Sequence, residues 1–307
     1  MTVQQSANAV VMIRPCRFYP NPETASDNAF QREVDEGTTD ALSRTAQEEF
    51  DRAVEALRRA GVTVHVFEDT PSPEKPDAVF PNNWFSTHQD GRVALYPMYS
   101  PARRNERRRD VIDELGKIYR INALIDYSFY EQRHLYLEGT GSLVLDHINR
   151  VAYVSLSKRA DREPLAKFCT DFNYEPMPFA SAGDDGRPIY HTNVVMCIGS
   201  KFALLGLELI TDSSERARIH QRLEAGGKTV IGLDRNQIAN FAGNTIELHN
   251  EKEKLLVISA RAATALSKEQ REEIEQHARL LELSIPTIEL AGGSARCMIA
   301  SVHLPPR

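Results

Sequence analysis

The feature that most constrains the fold is a unit that recurs along the second half of the chain. Each copy reads as two strands joined by a polar turn, then a helix, then a third strand. The three copies begin near residues 142, 194 and 245. Such repetition constrains the fold class more than any single motif, because one copy cannot bury its apolar face alone. The sequence therefore predicts an α/β protein assembled from copies of one unit.

The boundaries of the repeated elements follow from apolar periodicity and turn residues. The predicted strands lie at 142–145, 151–156, 175–179, 194–198, 202–207, 228–233, 245–249, 255–260 and 285–290. The predicted helices lie at 161–172, 213–225 and 267–281. The last helix begins with Ser267 and carries Gln270 three residues later, which is the pattern of a capping box.

The first half of the chain supports two further units. The first has a helix over 41–60 and a strand over 62–67. The second has strands at 84–87, at 93–96 and near 134–137, and a helix from about 101 to 118. A strand over 298–304 can pair with residues 10–13 and supply the hairpin that the first unit lacks. We therefore predict that residues 1–307 form one closed domain of five ββαβ blades, closed by its N- and C-terminal strands.

Composition restricts the function further. The formal charge of −6 and the pI near 5.9 disfavour a nucleic-acid surface. Four widely spaced cysteines with no zinc-type spacing favour a reducing compartment and no metal site. The chain shows neither a secretion signal nor an apolar run of membrane-spanning length, so we expect a cytoplasmic protein without membrane contact. The polar, strand-free segment 21–39 is predicted to be a long mobile loop near the site entrance.

Cys297 is the strongest candidate for a reactive group. It follows the glycine pair 292–293 and precedes the apolar run 298–304, so the thiol is predicted to stand at the start of a rigid strand. A cysteine hydrolase needs a thiolate and a proton-transfer group, often with a carboxylate. The alternative interpretation is an unreactive strand cysteine, since reactivity depends on an electropositive, partly exposed setting.

Three residues at matching places in the repeat are candidates for the supporting roles. His191, Glu138 and Asp77 each lie where the chain enters the first strand of a unit. In a ring of units these points converge near the axis, so the residues can share one pocket with Cys297. Taken alone, a histidine before a strand is more often a structural residue than a catalytic one.

These motifs resemble the guanidino-group-modifying (pentein) superfamily, whose fold is the five-bladed αβ-propeller. The resemblance spans the chain, from Ile-Arg-Pro at 13–15 through Pro-Asp-Ala-Val-Phe at 76–80, Leu-Glu-Gly at 137–139 and Ser-Lys-Arg at 157–159 to His191 and Cys297. Within the superfamily the chain is most similar to the dimethylarginine dimethylaminohydrolase-like branch that includes citrulline-utilisation hydrolases.

The resemblance implies roles for these residues and a reaction without a cofactor. Cys297 would be the nucleophile and His191 the general acid and base. Glu138 would pair with His191 or with the substrate's nitrogen end. Asp77 would bind substrate nitrogen, and Arg159 would hold the substrate α-carboxylate. The small-molecule partner would be an amino acid, and a homo-oligomer is compatible with this assignment.

Two departures from the branch pattern bear on the substrate. Asn82 and Asn83 stand where dimethylarginine hydrolases carry an acidic pair, and Gly139-Thr140-Gly141 replaces Gly-Gly-Asp after Glu138. A guanidinium is a cation that gains from carboxylates, whereas a neutral ureido group suits an amide, which both donates and accepts. This favours citrulline over arginine. The alternative is that the two asparagines only stabilise a turn.

The sequence leaves three functions open. The favoured one is hydrolysis of citrulline to ornithine, ammonia and CO₂ through a covalent cysteine intermediate. Arginine deimination, dimethylarginine hydrolysis or amidino transfer on the same fold is the second, and a catalytically silent ligand-binding propeller is the third. The arginine-rich run 103–109 is interpreted as a solvated helix face, with the alternative that Arg103 or Arg104 reaches the substrate carboxylate.

Overall fold

Five three-stranded sheets of the same construction form the framework of the protein. The computed structural model describes residues 3–35 and 37–307. The strand orders are β15-β1-β2, β3-β4-β5, β6-β7-β8, β9-β10-β11 and β12-β13-β14. The strands are β1 (Ala9–Arg14), β2 (Thr63–Glu68), β3 (Phe85–Thr87), β4 (Arg92–Leu95), β5 (Ala123–Asp126), β6 (Val144–Asp146), β7 (Val151–Ser155), β8 (Glu175–Phe179), β9 (Met196–Ile198), β10 (Phe202–Leu205), β11 (Thr229–Gly232), β12 (Ile246–His249), β13 (Lys254–Ser259), β14 (Arg279–Leu283) and β15 (Ala300–Val302).

Helices connect the strands, and short helical turns precede the first strands of several sheets. The α-helices are α1 (Thr39–Arg59), α2 (Arg109–Ile118), α3 (Gly139–Ser142), α4 (Arg162–Phe172), α5 (Thr192–Val195), α6 (Ser213–Ala225), α7 (Arg235–Ala239), α8 (Ala260–Ala265) and α9 (Lys268–Glu275). Short 3₁₀ helices cover Pro22–Thr24, Pro81–Asn83, Ala102–Glu106, Ser128–Arg133, Leu207–Leu209 and Ile288–Ala291.

Every sheet is mixed, and its connections explain why. The first and second strands pair antiparallel, as β6 does with β7, and the second and third pair parallel, as β7 does with β8. A parallel pair needs a crossover connection, which α4 supplies here and α1, α2, α6 and α9 supply elsewhere. The structure is therefore an α/β fold of repeated strand–strand–helix–strand units, as predicted.

The two ends of the chain meet in one sheet. β15 pairs antiparallel with β1, with Ala9 opposite Val302 and Val11 opposite Ala300. β1 also pairs parallel with β2 along its whole length, so it is the middle strand of its sheet. The pairing predicted between residues 298–304 and 10–13 is present over this shorter range. Each of the five sheets remains open, with two edge strands.

Buried helix faces connect this framework to the C-terminal segment. α1 buries Phe50 and Leu57 in a cluster that also contains Cys297 and Met298. α9 begins at the predicted capping box, in which Ser267 accepts from the backbone of Gln270 and the Gln270 side chain accepts from that of Ser267. Packing of this kind fixes the backbone around Cys297.

Several predicted boundaries are wrong. The predicted strand at 134–137 is absent, because His134 takes a left-handed conformation (φ 54°) after a 3₁₀ helix, and the strand of that unit is β5. The predicted strand at 285–290 is also absent. The helix predicted over 267–281 ends at Glu275, and residues 279–283 form β14 because they pair with β13. Pro286, which has no N–H to donate, stands within the range predicted as a strand.

Two further boundaries differ in detail. Residues 194 and 195, predicted as part of a strand, belong to the helical turn α5. The helix predicted from about 101 to 118 is divided into the 3₁₀ helix Ala102–Glu106 and α2. Across residues 3–35 and 37–307, no helix combines the length and the apolar character that a bilayer crossing requires.

Candidate active site

Short turns at the start of the sheets carry the candidate catalytic residues. Glu138 directly precedes α3, which leads into β6, and His191 directly precedes α5, which leads into β9. Cys297 lies in the turn before β15, and Asn244 lies in the turn before β12. The first strands of neighbouring sheets contact one another, as β6 does with β9 and β15 with β3. Side chains that are far apart in the sequence therefore meet at one end of the strands.

Most of the predicted site residues line one narrow pocket. Its wall includes Asp77, Asn83, Arg103, Arg159, His191 and Cys297, together with Thr24, Asn28, Phe80, Tyr190, Ala291 and Gly293. The free volume is about 10 Å³, close to what one water molecule needs. Glu138 and Asn82, both fully buried, lie behind this wall. Any ligand larger than one water molecule therefore requires the pocket to open.

The buried pair of Glu138 and His191 is the centre of the site. Glu138 Oε2 lies 2.8 Å from His191 Nε2, and Glu138 Oε1 accepts a 2.9 Å hydrogen bond from the backbone N–H of Tyr99. Burial acts to raise the pKa of Glu138, but Arg159, His191 and Arg103 outweigh it and lower that pKa to about 2. Burial lowers the pKa of His191 to about 4, although Glu138 opposes this shift.

These shifts define the tautomer of His191 at neutral pH. Glu138 is ionised and has no proton to donate, so the hydrogen in the 2.8 Å contact belongs to His191 Nε2. The imidazole is neutral, and its Nδ1 is therefore free to accept a proton. Nδ1 lies beside Gly141, where an added Cβ atom would come within 2.7 Å of it. His191 is thus arranged as a base whose protonated form the ionised Glu138 stabilises.

Arg103 is buried among the carboxylates of the site. Its guanidinium makes two hydrogen bonds to Glu106, of 2.8 and 2.9 Å, and donates to Asn83 Oδ1 at 2.9 Å. It also lies 3.4 Å from Asp77 and 3.5 Å from Glu138. Burial acts to lower the pKa of Arg103, but Glu106, Asp77 and Glu138 raise it above the ordinary value. The interpretation of the run 103–109 as a solvated face is therefore wrong for Arg103.

Arg159 holds a segment of the polar loop over the pocket. Its Nε and Nη2 donate to the two carboxylate oxygens of Asp27 at 2.7 and 2.8 Å. The guanidinium lies 4.8 Å from the ring centre of Tyr190, and its Nη1 is 3.7 Å from Glu138. Burial acts to lower the pKa of Arg159, but Glu138 and Asp27 raise it. Arg159 thus presents a planar fork that already binds one carboxylate.

The loop predicted over 21–39 lies where the sequence placed it, at the mouth of the pocket. Thr24 and Asn28 contribute to the pocket wall, and Asn21 donates a 2.8 Å hydrogen bond to Asp77. The loop is strand-free, as expected, and Glu36 within it lies outside the described residues. Its mobility stays a prediction.

Two asparagines that the sequence reasoning missed contact the thiol. Asn244 Nδ2 lies 3.2 Å from Cys297 Sγ, and Asn193 Nδ2 lies 3.4 Å from the same atom. Both side chains are almost fully buried. They stand on the turns before β12 and β9, the same places in the repeat that identified Glu138 and His191. Repeat position was therefore the signal that could have found them.

The two adjacent asparagines at 82 and 83 differ in their placement. Asn83 lines the pocket, and its Nδ2 donates to Asn82 Oδ1 at 3.1 Å. Asn82 is fully buried, and its Nδ2 has no hydrogen-bond partner within the described part of the chain. Among residues 3–35 and 37–307, no group of three or more His, Cys, Asp or Glu side chains has an arrangement that could hold a metal ion.

A comparison with family models assigns the chain to the pentein class. The chain belongs to the N,N dimethylarginine dimethylhydrolase family (eukaryotic), whose family model matches residues 14–304. This confirms the predicted superfamily and branch. The comparison with curated proteins found no match.

Solved structures share the fold at low sequence identity. The N-terminal domain of ArgZ, an arginine dihydrolase from the ornithine–ammonia cycle in cyanobacteria, matches in its product-bound form with a TM-score of 0.73 and 16% identity, covering 97% of this chain and 99% of that one. Unliganded AgrE matches with a TM-score of 0.74 and 18% identity, over 97% of this chain and 40% of that one. This chain likewise spans 40% of full-length ArgZ.

A dimethylarginine dimethylaminohydrolase variant also shares the fold. Its adduct with S-methyl-L-thiocitrulline matches with a TM-score of 0.61 and 13% identity, covering 96% of this chain and 99% of that one.

Gly141 is expected to be required for the geometry of His191. We predict that Gly141→Ala lowers kcat/KM by about a hundredfold or more, because the added Cβ displaces the imidazole and Asn83. Gly232→Ala is the matched control, since an added Cβ there meets no atom within 4 Å. Steady-state kinetics of both variants checks this prediction. Equal activity of the two would show that the site tolerates a shifted His191.

Asn244 is expected to stabilise the thiolate of Cys297. We predict that Asn244→Ala slows the alkylation of Cys297 by iodoacetamide about threefold or more at neutral pH, because the thiolate loses a hydrogen-bond donor 3.2 Å away. The measurement is the rate of alkylation of Cys297 at one fixed pH. Asn236→Ala, an exposed residue on α7 of the same unit, is the control. An unchanged alkylation rate for Asn244→Ala would contradict the assignment.

Proposed function

We propose that the protein is a cysteine-dependent hydrolase that converts citrulline to ornithine, ammonia and CO₂. Cys297 is the nucleophile, His191 is the general base and acid, and Glu138 stabilises the protonated form of His191. The observation that carries the choice of citrulline is the position of Arg103, a buried cation within the substrate pocket beside Asp77 and Glu138.

The charge of Arg103 discriminates between a guanidinium and a ureido group. Asp77 and Glu138 already face this cation, so a substrate guanidinium would share their carboxylates with it in a very small space. Two like unit charges 4 Å apart repel by about 4 kcal/mol at an effective dielectric constant of 20. A neutral ureido group avoids this repulsion. The amide of Asn83, fixed by its bond to Arg103, adds a neutral polar contact at the pocket wall.

The first half of the reaction forms a covalent intermediate. Neutral His191 takes the proton of the Cys297 thiol, and Asn193 and Asn244 donate to the resulting thiolate. The sulfur attacks the ureido carbon and forms a C–S bond. The bond between that carbon and the ornithine side-chain nitrogen then breaks, and protonated His191 returns its proton to the departing nitrogen. A carbamoyl thioester on Cys297 and free ornithine result.

The second half releases the carbamoyl group. His191 takes a proton from water while the water oxygen attacks the thioester carbon. The C–S bond breaks, and the sulfur leaves with its electron pair and recovers the proton from His191. The product is carbamic acid, which loses a proton to solvent to give carbamate and decomposes to ammonia and CO₂.

Arg159 is the proposed binding group for the substrate α-carboxylate. Its fork faces the pocket and holds Asp27 in the geometry that a substrate carboxylate would take. Substrate entry then requires Asp27 to leave Arg159, together with the loop that carries it. Asp77 is proposed to bind a substrate nitrogen once Asn21 moves with the same loop.

Arginine-type substrates are the second candidate. The family description names dimethylarginine, and ArgZ is described as an arginine dihydrolase. The same thiol chemistry acts on an amidine carbon, and amidino transfer differs only in the acceptor. A catalytically silent ligand-binding protein is the third candidate, and the enclosed Cys297–His191 pocket weighs against it.

We also propose that the five sheets form a closed five-bladed propeller and that residues 1–307 act as one catalytic domain. Contacts of β15 with β3, of β6 with β9 and of β9 with β12 support the ring. A bridge between Ala7 and Leu248 links the sheet of β12 to the N-terminal segment. A cytoplasmic location, the absence of a nucleic-acid or membrane partner, and a homo-oligomeric state stay expectations from the sequence.

A substrate panel tests the proposed function. Purified protein is incubated with citrulline, arginine or asymmetric dimethylarginine while ornithine, citrulline and ammonia are measured. We expect ornithine and ammonia from citrulline, with kcat/KM exceeding that for arginine by at least about tenfold, or 1.4 kcal/mol. Cys297→Ala should abolish turnover, and Cys16→Ala, whose thiol lies outside the pocket, should not. Citrulline formed from arginine or dimethylarginine, with citrulline itself inert, would establish the second candidate instead.

The pH dependence of kcat/KM tests the role of His191. The active form is neutral, and burial lowers the pKa of His191 to about 4, so the acid limb should have its midpoint near pH 4 instead of near 6.5. Below that midpoint kcat/KM should fall about tenfold per pH unit. An acid limb centred near pH 6.5 in fully folded protein would exclude this assignment.

The fold must be monitored in the same experiment. Burial lowers the pKa of His88 to about 3 and that of His303 to about 4. A histidine with a lowered pKa in the folded protein leaves stability intact at pH values above its unfolded-state pKa of about 6.5. Stability is lost as the pH falls from 6.5 toward the pKa of the folded state, because the unfolded chain binds the proton more tightly. Circular dichroism at each pH therefore separates titration of His191 from acid unfolding.

A further inference from the structure

A second cavity lies behind the nucleophile and shares no lining residue with the substrate pocket. We call it the axial cavity. Its wall includes Asn193, Thr245, Arg296, His147 and His303, and its free volume is about 60 Å³. One water molecule needs about 10 to 15 Å³ by this measure. The axial cavity therefore has room for several waters or one small anion.

The polar groups on this wall have few partners within the described residues. Asn193 Oδ1 is buried and makes no hydrogen bond there. The Arg296 guanidinium donates from Nη1 to the backbone oxygen of Ile299 at 2.7 Å. Burial lowers the pKa of Arg296, and the groups that oppose this shift are the thiols of Cys297 and Cys197. No carboxylate lies within 4.0 Å of its guanidinium in residues 3–35 and 37–307.

The remaining groups on the wall do not neutralise this charge. Burial lowers the pKa of His303 to about 4 and also lowers that of His147, so both imidazoles are neutral at pH 7. Glu247 lines the cavity, but its carboxylate accepts hydrogen bonds from the backbone and hydroxyl groups of Ser200. Apart from the Glu247 carboxylate, which is bound to Ser200, Arg296 thus faces neutral donors and acceptors on this wall. A guanidinium in this situation suits a planar anion that binds two of its N–H groups.

The position of the cavity connects it to the reaction proposed above. Asn193 contacts Cys297 Sγ at 3.4 Å and also lines the axial cavity. Arg296 is the residue immediately before Cys297. On the far side, His147 and His303 also line an outer cleft with a free volume of about 670 Å³. The cavity therefore lies between the reacting sulfur and a second opening of the molecule.

We propose that the axial cavity binds a small planar carboxylate-type monoanion, carbamate or hydrogencarbonate, through Arg296. The inference rests on the proposed function, because hydrolysis of the carbamoyl thioester on Cys297 releases free carbamate beside this cavity. Its uptake at Arg296 removes the small product from the sulfur while ornithine leaves by the substrate pocket.

The test is binding of ¹³C-labelled hydrogencarbonate to the resting enzyme, measured by NMR at pH 8 and constant ionic strength. We expect saturable binding at one site in the wild type and at least tenfold weaker binding in Arg296→Gln. Arg296→Lys, which keeps the charge, should retain part of it. Arg120→Gln, an exposed residue outside the cavity, should bind like the wild type. Absence of saturable binding to the wild type would overturn the proposal.

A second measurement locates the anion without depending on the folding of a variant. In wild-type protein with ¹⁵N-labelled histidine, hydrogencarbonate should shift the ring resonances of His147 and His303. Shifts confined to His191, together with loss of binding in Arg159→Gln, would place the anion in the substrate pocket and reject the axial site. Both measurements need no turnover. If the protein hydrolyses citrulline but does not bind hydrogencarbonate at Arg296, only this inference is refuted. If it binds hydrogencarbonate there but does not hydrolyse citrulline, the proposed function is refuted.

Discussion

The site depends on one buried ion, the carboxylate of Glu138. A fully buried carboxylate is unfavourable unless charged and hydrogen-bonding groups surround it. Here His191, Arg103, Arg159 and the backbone of Tyr99 all point at its two oxygens. The same contacts that keep Glu138 ionised fix the tautomer of His191 and bring both arginines into the pocket. The positions of His191, Arg103 and Arg159 thus follow from the contacts that the buried carboxylate of Glu138 requires.

The repeat delivers these groups to one point. Each sheet begins after a short turn, and such turns carry Glu138, His191, Asn244 and Cys297 within about 160 residues of sequence. Close approach of the backbone is part of this arrangement, since Gly141 leaves the space that His191 occupies. The loop that carries Asp27 covers the pocket formed by these residues and leaves little free volume in it. The pocket is consequently closed, and it must open to admit any ligand larger than one water molecule.

Sequence reasoning predicted best where one pattern had only one structural solution. The helix at α6 and the strand at β8 lie where periodicity placed them. The predicted helix wrongly included residues 279–281, because the leucine-rich sequence of β14 suits a helix as well as a buried parallel strand. Pairing with β13 decides between the two. Repeat position also predicted that Cys297, His191 and Asp77 face one pocket, while their catalytic roles stay proposals.

The features of the site that the sequence did not predict depend on contacts between residues that are far apart in the chain. Asn193 and Asn244 are ordinary turn residues until the fold brings their amides to the sulfur. Asp27 lies in a polar loop without periodicity, and only the structure shows it on Arg159. Arg103 belonged to a charged run typical of an exposed helix face. Its burial follows from carboxylates that come from three separate segments of the chain.

The central claim is that the ureido carbon is carried on Cys297 during turnover. Rapid acid quenching of the enzyme with citrulline labelled with ¹³C at that carbon, followed by mass spectrometry of the peptide containing Cys297, tests it directly. The account predicts one labelled carbamoyl group on Cys297 that appears and decays at rates compatible with ornithine formation. Steady ornithine formation with no label on Cys297, or with the label on another residue, would contradict it.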